Sequence, residues 1–296
     1  MTNNHPYARI IFAESLSHWG KALFVEEWHT PVILREIDGG GIDAAGVYPF
    51  CVLPKDADIA GGLERLKQHG AVSVVMVLDD FHRPELDVLK PHFPMLRDFK
   101  THYVHDYAKG EPQYDSHHRR GLRKAQQQVR VDVVDLKTHW RDWQKLYDYI
   151  IRDMKLSGLH AFPAAHHEAL APLEGIAAIG AWMDDELVSA HIWAGDGEMM
   201  HSHLVASNAK GYETRAAYAV NDFSIKHFAG AKLLNFGGGA GVADAEEGGL
   251  ARFKRGFSNA TAKSYIAGAI LDEERYAALS GDPTTSFFPA YRDPAR

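Results

Sequence analysis

Chemistry concentrates in the segment 232–257, KLLNFGGGAGVADAEEGGLARFKRGF. A short apolar run ends in Gly237, Gly238, Gly239 and Gly241. Glycines at a strand end permit positive φ and close approach of the backbone to another group. An acidic loop follows, then Phe253-Lys254-Arg255-Gly256-Phe257. A Lys-Arg pair between two aromatics places fixed positive charge beside the glycine opening. Lysine is a compact, mobile cation suited to a phosphate or a developing oxyanion. The arrangement reads as a place that holds an anionic or activated donor.

The glycine run is not a known nucleotide cradle. It lacks the G-K-[ST] ending of a P-loop, and Val242 stands where G-x-G-x-x-G needs its last glycine. A second candidate is 208–215, NAKGYETR, between a strand and a helix, with Gly211 at the turn and Arg215 following. Backbone N–H groups at such a helix entry bind anions. A pyrophosphate cradle for acyl-CoA would carry Gln or Arg at Asn208 and a small residue at Glu213, and only Gly211 fits. The helix 115–128, DSHHRRGLRKAQQQ, sets Arg119, Arg120, Arg123 and Lys124 against Asp115, either to bind phosphate or as a solvated face. His201 and His203 lie on one face of a strand. No cysteine or HExxH accompanies them, so no metal is expected. The pairs His117-His118 and His166-His167 read as surface residues. No G-x-S-x-G occurs, which leaves hydrolase chemistry unsupported.

These residues need strands and helices to hold them. In the first half, ARIIFA reads as a strand, 15–28 as an amphipathic helix, and PVILREI and GVYPFCVL as strands. The segment 58–69 reads as a helix, AVSVVMVL as a buried strand, and 99–107 as the last strand of that half. In the second, a helix over 138–156 precedes a helix over 166–171 and a three-strand meander. A helix from Gly211 to about Phe228 then leads into KLLNF, and TAKSYIAGAIL is the last strand. The mixture implies an α+β fold. Similar sizes and element orders suggest a duplication, without a sequence repeat. The halves are expected at 1–112 and 113–296, the basic helix connecting them.

The chain has 296 residues, 46% hydrophobic and 24% charged, which suits a globular protein of about two domains. No apolar run approaches the roughly 20 residues of a membrane span. The N-terminus has no signal-peptide pattern. A single cysteine, Cys51, fits a small buried hydrophobe in a reducing compartment, so a cytoplasmic protein is expected. A net charge of −7 argues against wrapping DNA but permits contact with one phosphate-bearing end of a ligand.

Taken in order, YDSHHRRGLRKA, ELVSAHIWAGDGEMMHSHLVAS, NAKGYETRAAYAVNDFSIKHFAG and KLLNFGGGAG…GLARFKRGF resemble the Fem-type aminoacyltransferases of peptidoglycan bridges and the related GNAT-like acyltransferases. The match covers about 114–257. The first half resembles them through VYPF, 47–50, a degenerate form of an aromatic, glycine-rich loop. The resemblance implies two tandem GNAT-like folds with a central mixed sheet in each, and an acyltransferase that makes an amide. It implies a co-substrate, aminoacyl-tRNA or else acyl-CoA, and no bound cofactor. The partners would be the tRNA acceptor end and a small-molecule or peptide amine. By similarity Lys254 is catalytic; His203, Tyr212 and Asp222 are candidate bases on their residue types alone, with the donor ribose or the substrate itself as the alternative. Gly237, Gly238, Gly239, Gly241, Phe253, Arg255, Gly211 and Arg215 are expected at the donor and Tyr48 at the acceptor. A non-catalytic binding module of the same fold is the remaining reading.

Overall fold

The computed structural model describes residues 4–239, 248–281 and 285–294. In chain order, the first elements are α1 (Ile10–Glu14), β1 (Lys21–Val25), β2 (Thr30–Glu36), β3 (Ile42–Gly46), α2 (Ile59–Gln68), β4 (Ala71–Asp79), α3 (Leu86–Leu89) and β5 (Met95–Asp106). Next come α4 (Ser116–Gln126), β6 (Arg130–Val133), α5 (Leu136–Asp153), α6 (Ala164–Leu170), β7 (Ile176–Met183), β8 (Glu186–Gly195) and β9 (Met199–Ser207). The last are α7 (Ala209–Thr214), α8 (Ala216–His227), β10 (Leu233–Asn235), α9 (Gly249–Arg255), β11 (Ala260–Ile270) and α10 (Glu273–Ser280). Two compact units result: Met1–Phe99 with Lys263–Arg296, and Lys100–Ala262. Among the described residues no helix is long and apolar enough to cross a membrane.

The first unit is a mixed sheet. β1, β2 and β3 run antiparallel in sequence; α2 crosses over so that β4 lies parallel to β3. Residues 264–270 of β11 then pair antiparallel with β4. Trp28, Val32, Leu66, Val74 and Phe93 fill its core. Trp28 lies so close to α2 that a Cβ on Gly62 would stand 2.0 Å from the indole nitrogen.

The second unit repeats the plan. β6, β7, β8 and β9 form an antiparallel meander. α7 and α8 cross over, and β10 lies parallel to β9. β10 also pairs antiparallel with residues 104–106 of β5. β8 is buried from Leu187 to its end, which fits its near-continuous apolar run. Trp193 on β8 donates to Ser224 on α8 (3.1 Å).

Four features differ from the sequence reading. The run ARIIFA is a 3-10 turn and helix, with Tyr7, Ala8, Phe12, Ala13 and Leu16 buried and Ile10 and Ile11 exposed, a helical face. No helix spans 15–28. Gly20 packs against the Leu34 carbonyl, where a Cβ would stand at 2.3 Å, and 21–25 pair with β2. Pairing thus overrides the apolar spacing. The strand before Cys51 stops at Gly46, and Cys51 makes only a single bridge to Leu78. Finally, the unit boundary falls at Phe99–Lys100, and the chain returns to the first unit at Lys263, because β11 finds its partner in β4.

Candidate functional site

β10 is three residues long, and its end builds the site. Phe236 N–H donates to Tyr103 O (2.9 Å) and Tyr103 N–H to Gly237 O (3.1 Å), so the pairing with β5 continues into the glycines. Asn235 Oδ1 accepts from Gly237 N–H (2.8 Å) and closes the turn. Its amide nitrogen lies 3.2 Å from His102 Nδ1. Gly237 has φ +77°, and a Cβ there would stand 3.3 Å from Lys254 Nζ. At Gly238 a Cβ would stand 3.1 Å from Thr101 O and 3.3 Å from Lys100 Cδ. Gly237 therefore needs glycine for its dihedral, and Gly238 is tightly packed against the Thr101 carbonyl.

Lys254 comes from α9, which ends at Gly256. Two anchors fix it. Phe253 and Phe257 pack edge to face, with ring centroids 5.2 Å apart, and both contact Tyr218. Gly256 lies beneath His118, whose Nε2 would be 2.0 Å from a Cβ there. Both ring nitrogens of His118 face acceptors, Asp115 Oδ1 at 2.9 Å and Phe253 O at 3.0 Å. So held, Lys254 Nζ donates to Gly238 O (2.7 Å).

Burial, and after it the positive charge of Lys100, push the Lys254 amine down to about 8. Burial also lowers Lys100. His160 is lowered by burial and then by Lys100. His191, between Asn221 (2.9 Å) and Ser202 (2.8 Å), is pushed down to about 3 by burial; the Asn221 bond opposes this, and the Lys254 charge adds to it. A cationic amine thus stands half-buried at a bare backbone turn. It can stabilise negative charge, and its proton is exchangeable near neutral pH.

The structure brings Lys254, Gly237 and Gly238 together, with Phe253 as an anchor. Arg255 is exposed, its guanidinium 5.7 Å from the Tyr103 ring centroid. Arg215 adopts a left-handed conformation (φ +59°) between α7 and α8. Its Nη1 is buried without a hydrogen-bond partner among the described residues, and its charge acts on Tyr218. Gly239 is the last described residue of the loop; Gly241 lies outside the described residues. Gly211 turns its bare Cα to the Val188 carbonyl, where a Cβ would stand at 2.1 Å, and its N–H caps onto Asn208 Oδ1 (3.0 Å).

The candidate bases have other surroundings. His203 Nε2 lies 3.4 Å from His166 Nε2. Tyr212 is 52% exposed and feels Asp153 and Tyr149. Asp222 accepts from Tyr114 Oη (2.8 Å) and Lys226 Nζ (2.7 Å). Tyr48 belongs to the first unit, and burial raises its phenol above the ordinary tyrosine value. Of the four histidines read as surface residues, only His117 is exposed. His118, His166 and His167 are buried; His167 Nδ1 accepts from Trp143 Nε1 (2.9 Å). Buried Cys51 has its thiol pushed up to about 12, which keeps it protonated. Lys100, His191 and Asn235 escape sequence reasoning, since only the pairing of β5 and β8 with their neighbours brings them here.

No family model and no curated protein matches this sequence. Solved structures do. FemX superposes with a TM-score of 0.64 at 12% identity, over 91% of this chain and 93% of that one. A structure described as the C-terminal domain (DUF2156) of a lysylphosphatidylglycerol synthetase from Agrobacterium fabrum gives 0.61 at 15% identity, over 90% and 94%. A conserved protein of unknown function from Bacteroides thetaiotaomicron gives 0.60 at 12% identity, over 90% and 93%. The chain shares their fold, so the Fem-type resemblance read from sequence motifs has its counterpart in three dimensions.

Proposed function

We propose that this protein is an acyltransferase that moves an aminoacyl group from aminoacyl-tRNA to an amine, forming an amide. The observation that carries the reading is Lys254, a desolvated amine fixed at the Gly237-Gly238 turn. An aminoacyl ester is already activated, so the protein must mainly position it and stabilise the tetrahedral oxyanion. The acceptor nitrogen attacks the ester carbonyl carbon, and the carbonyl oxygen gains charge beside the Lys254 ammonium. The C–O bond to the ribose then breaks, and the departing oxygen receives the proton the amine loses.

The start of α7 favours tRNA over acyl-CoA as donor. There the Gly211 N–H is used by Asn208, and the glycine faces a strand carbonyl. His203 and Tyr212, each placed among other groups, are weaker candidates for the base than the donor ribose itself. Tyr48 as acceptor contact rests on the resemblance alone.

The test is incubation with charged tRNAs, or with a panel of acyl-CoAs, followed by mass spectrometry of cell-extract amines. The expected result is an aminoacyl mass increment that needs tRNA and is lost in Lys254→Ala. Turnover with acetyl-CoA and no tRNA would replace the donor. Failure to bind either donor in calorimetry would leave a non-catalytic module.

A further inference from the structure

We propose that His118 is a positioning residue for Lys254: as an imidazolium it bridges the start of α4 to the last turn of α9 and so fixes where the lysine side chain leaves its helix. The inference rests on the reading of Lys254 as the reacting cation and adds what holds that cation in place.

The two acceptors around the ring decide its state. Asp115 Oδ1 lies 2.9 Å from Nδ1, and Phe253 O lies 3.0 Å from Nε2. A backbone carbonyl only accepts, and so does an ionised carboxylate. Asp115 is exposed, and hydrogen bonds from His118, first its backbone N–H (2.7 Å) and then its ring, hold the carboxyl below the usual range. Both ring contacts are hydrogen bonds only when both nitrogens carry protons. A neutral ring serves one acceptor and turns a lone pair to the other.

The Phe253 contact is the one that reaches Lys254. At the end of α9, Gly256 N–H goes to Arg252 O (3.3 Å) and Phe257 N–H to Lys254 O (3.0 Å). Ser258 Oγ donates to the same Lys254 carbonyl (2.9 Å). These bonds leave the carbonyl of Phe253, the residue before Lys254, to the imidazolium. A cation at a helix C-terminus also suits the helix dipole. The buried ring has little room to slide: Gly256 lies beneath it, the Phe257 ring meets it at 5.1 Å between centroids, and Phe253 stacks at 6.2 Å. Among the described residues, the titratable groups around it are Asp115 and His117 on α4 and Tyr218 on α8. The Tyr218 hydroxyl lies 3.0 Å from His117 Nε2, and the charges of Arg215 and Asp115 act on it. From α9 come Phe253, Gly256 and Phe257.

Lys254 must then sense the titration of His118. NMR of protein isotope-labelled at the lysine ε-carbons and the histidine ring carbons reads both across pH, with Lys254→Met and His118→Gln assigning the signals. We expect a step in the Lys254 signal at the His118 midpoint, apart from the titration of the lysine itself at about 8. Asp115→Asn keeps an N-cap acceptor but withdraws the charge, so the His118 midpoint should fall and the Lys254 step should fall with it. His117→Gln should leave the step in place. In the transfer assay His118→Ala should lower kcat about tenfold with KM little changed, as a misplaced catalytic group does. His118→Gln, whose amide keeps a donor for Phe253 O, should recover part of that loss and show no step. The inference is overturned by a Lys254 signal that ignores the His118 midpoint, by an Asp115→Asn protein in which midpoint and step do not move together, or by full transfer in His118→Ala. If the wild type shows no tRNA-dependent transfer while the Lys254 step follows His118, the positioning stands and the proposed reaction alone fails.

Discussion

The two units treat buried charge in opposite ways. In the first, Asp43 is fully buried and every direction around it is answered. Arg35 donates to it through Nε (2.9 Å) and Nη2 (3.0 Å), Arg292 through Nε (3.0 Å) and Nη2 (3.1 Å), and Tyr291 through its hydroxyl (3.3 Å). The network ties the C-terminal segment to β2 and β3. In the second unit Lys254 donates to a backbone carbonyl, and burial and then the positive charge of Lys100 lower its amine. Satisfied burial stabilises a fold, whereas burial against a like charge costs stability and marks functional sites. The contrast separates a structural lock from a site in a protein whose halves share one plan.

The largest expected effect breaks the lock. Asp43→Ala leaves two arginines facing an emptied position, and removing one partner of a buried ion pair costs about 3–5 kcal/mol. Denaturant unfolding should show that loss. Lys254→Met should do the reverse, leaving stability unchanged or raised, while transfer falls about 100-fold or more if the amine stabilises the oxyanion. Equal destabilisation by both substitutions would erase the distinction between the units.

A matched pair of glycines sharpens it. Gly62→Ala drives a methyl into Trp28, and Gly256→Ala drives one into His118, each at 2.0 Å. Overpacking of this kind costs about 1–3 kcal/mol. We expect both to destabilise by similar amounts. Only Gly256→Ala should also slow transfer, because it shifts the turn after Lys254; comparing rates at temperatures where both variants stay folded checks this.

How much of this was legible depended on where partners lay in the chain. FKRGF and the strand end before it could be read because their chemistry is adjacent in sequence. In the second half, the meander, the helix after it and the strand that follows could be read from periodicity; their parallel pairing could not. Lys100 could not, because nothing around it in KTHYVHD signals a second cation. His118, His166 and His167 looked exposed because histidine is polar, and only tertiary packing supplies the partners that let them be buried. The unit boundary was hidden for a similar reason: β11 carries no mark that its partner is β4. Segment 15–28 had helical spacing, which strand pairing overrode at 21–25.

The smallest expected effect is a pH dependence carried by Lys254. Its amine sits at about 8 when folded, against about 10.4 in an unfolded chain. Between those values the unfolded state binds more protons, so the Lys254 contribution to stability rises with pH across this window. Below pH 8 both states are charged and the full cost of burying the ammonium is present. Lys254→Met has no such cost, so its advantage over the wild type should be greatest at pH 7.5 and shrink by pH 9.5. Each unit of depression corresponds to about 1.4 kcal/mol, so the gap should narrow by about 1–2 kcal/mol. Urea unfolding of both proteins at the two pH values isolates this term, since the other titrating groups are common to both. A gap that stays constant would mean that the amine is solvated as in the unfolded chain, and Lys254 would then be an ordinary surface charge with no contrast to Asp43.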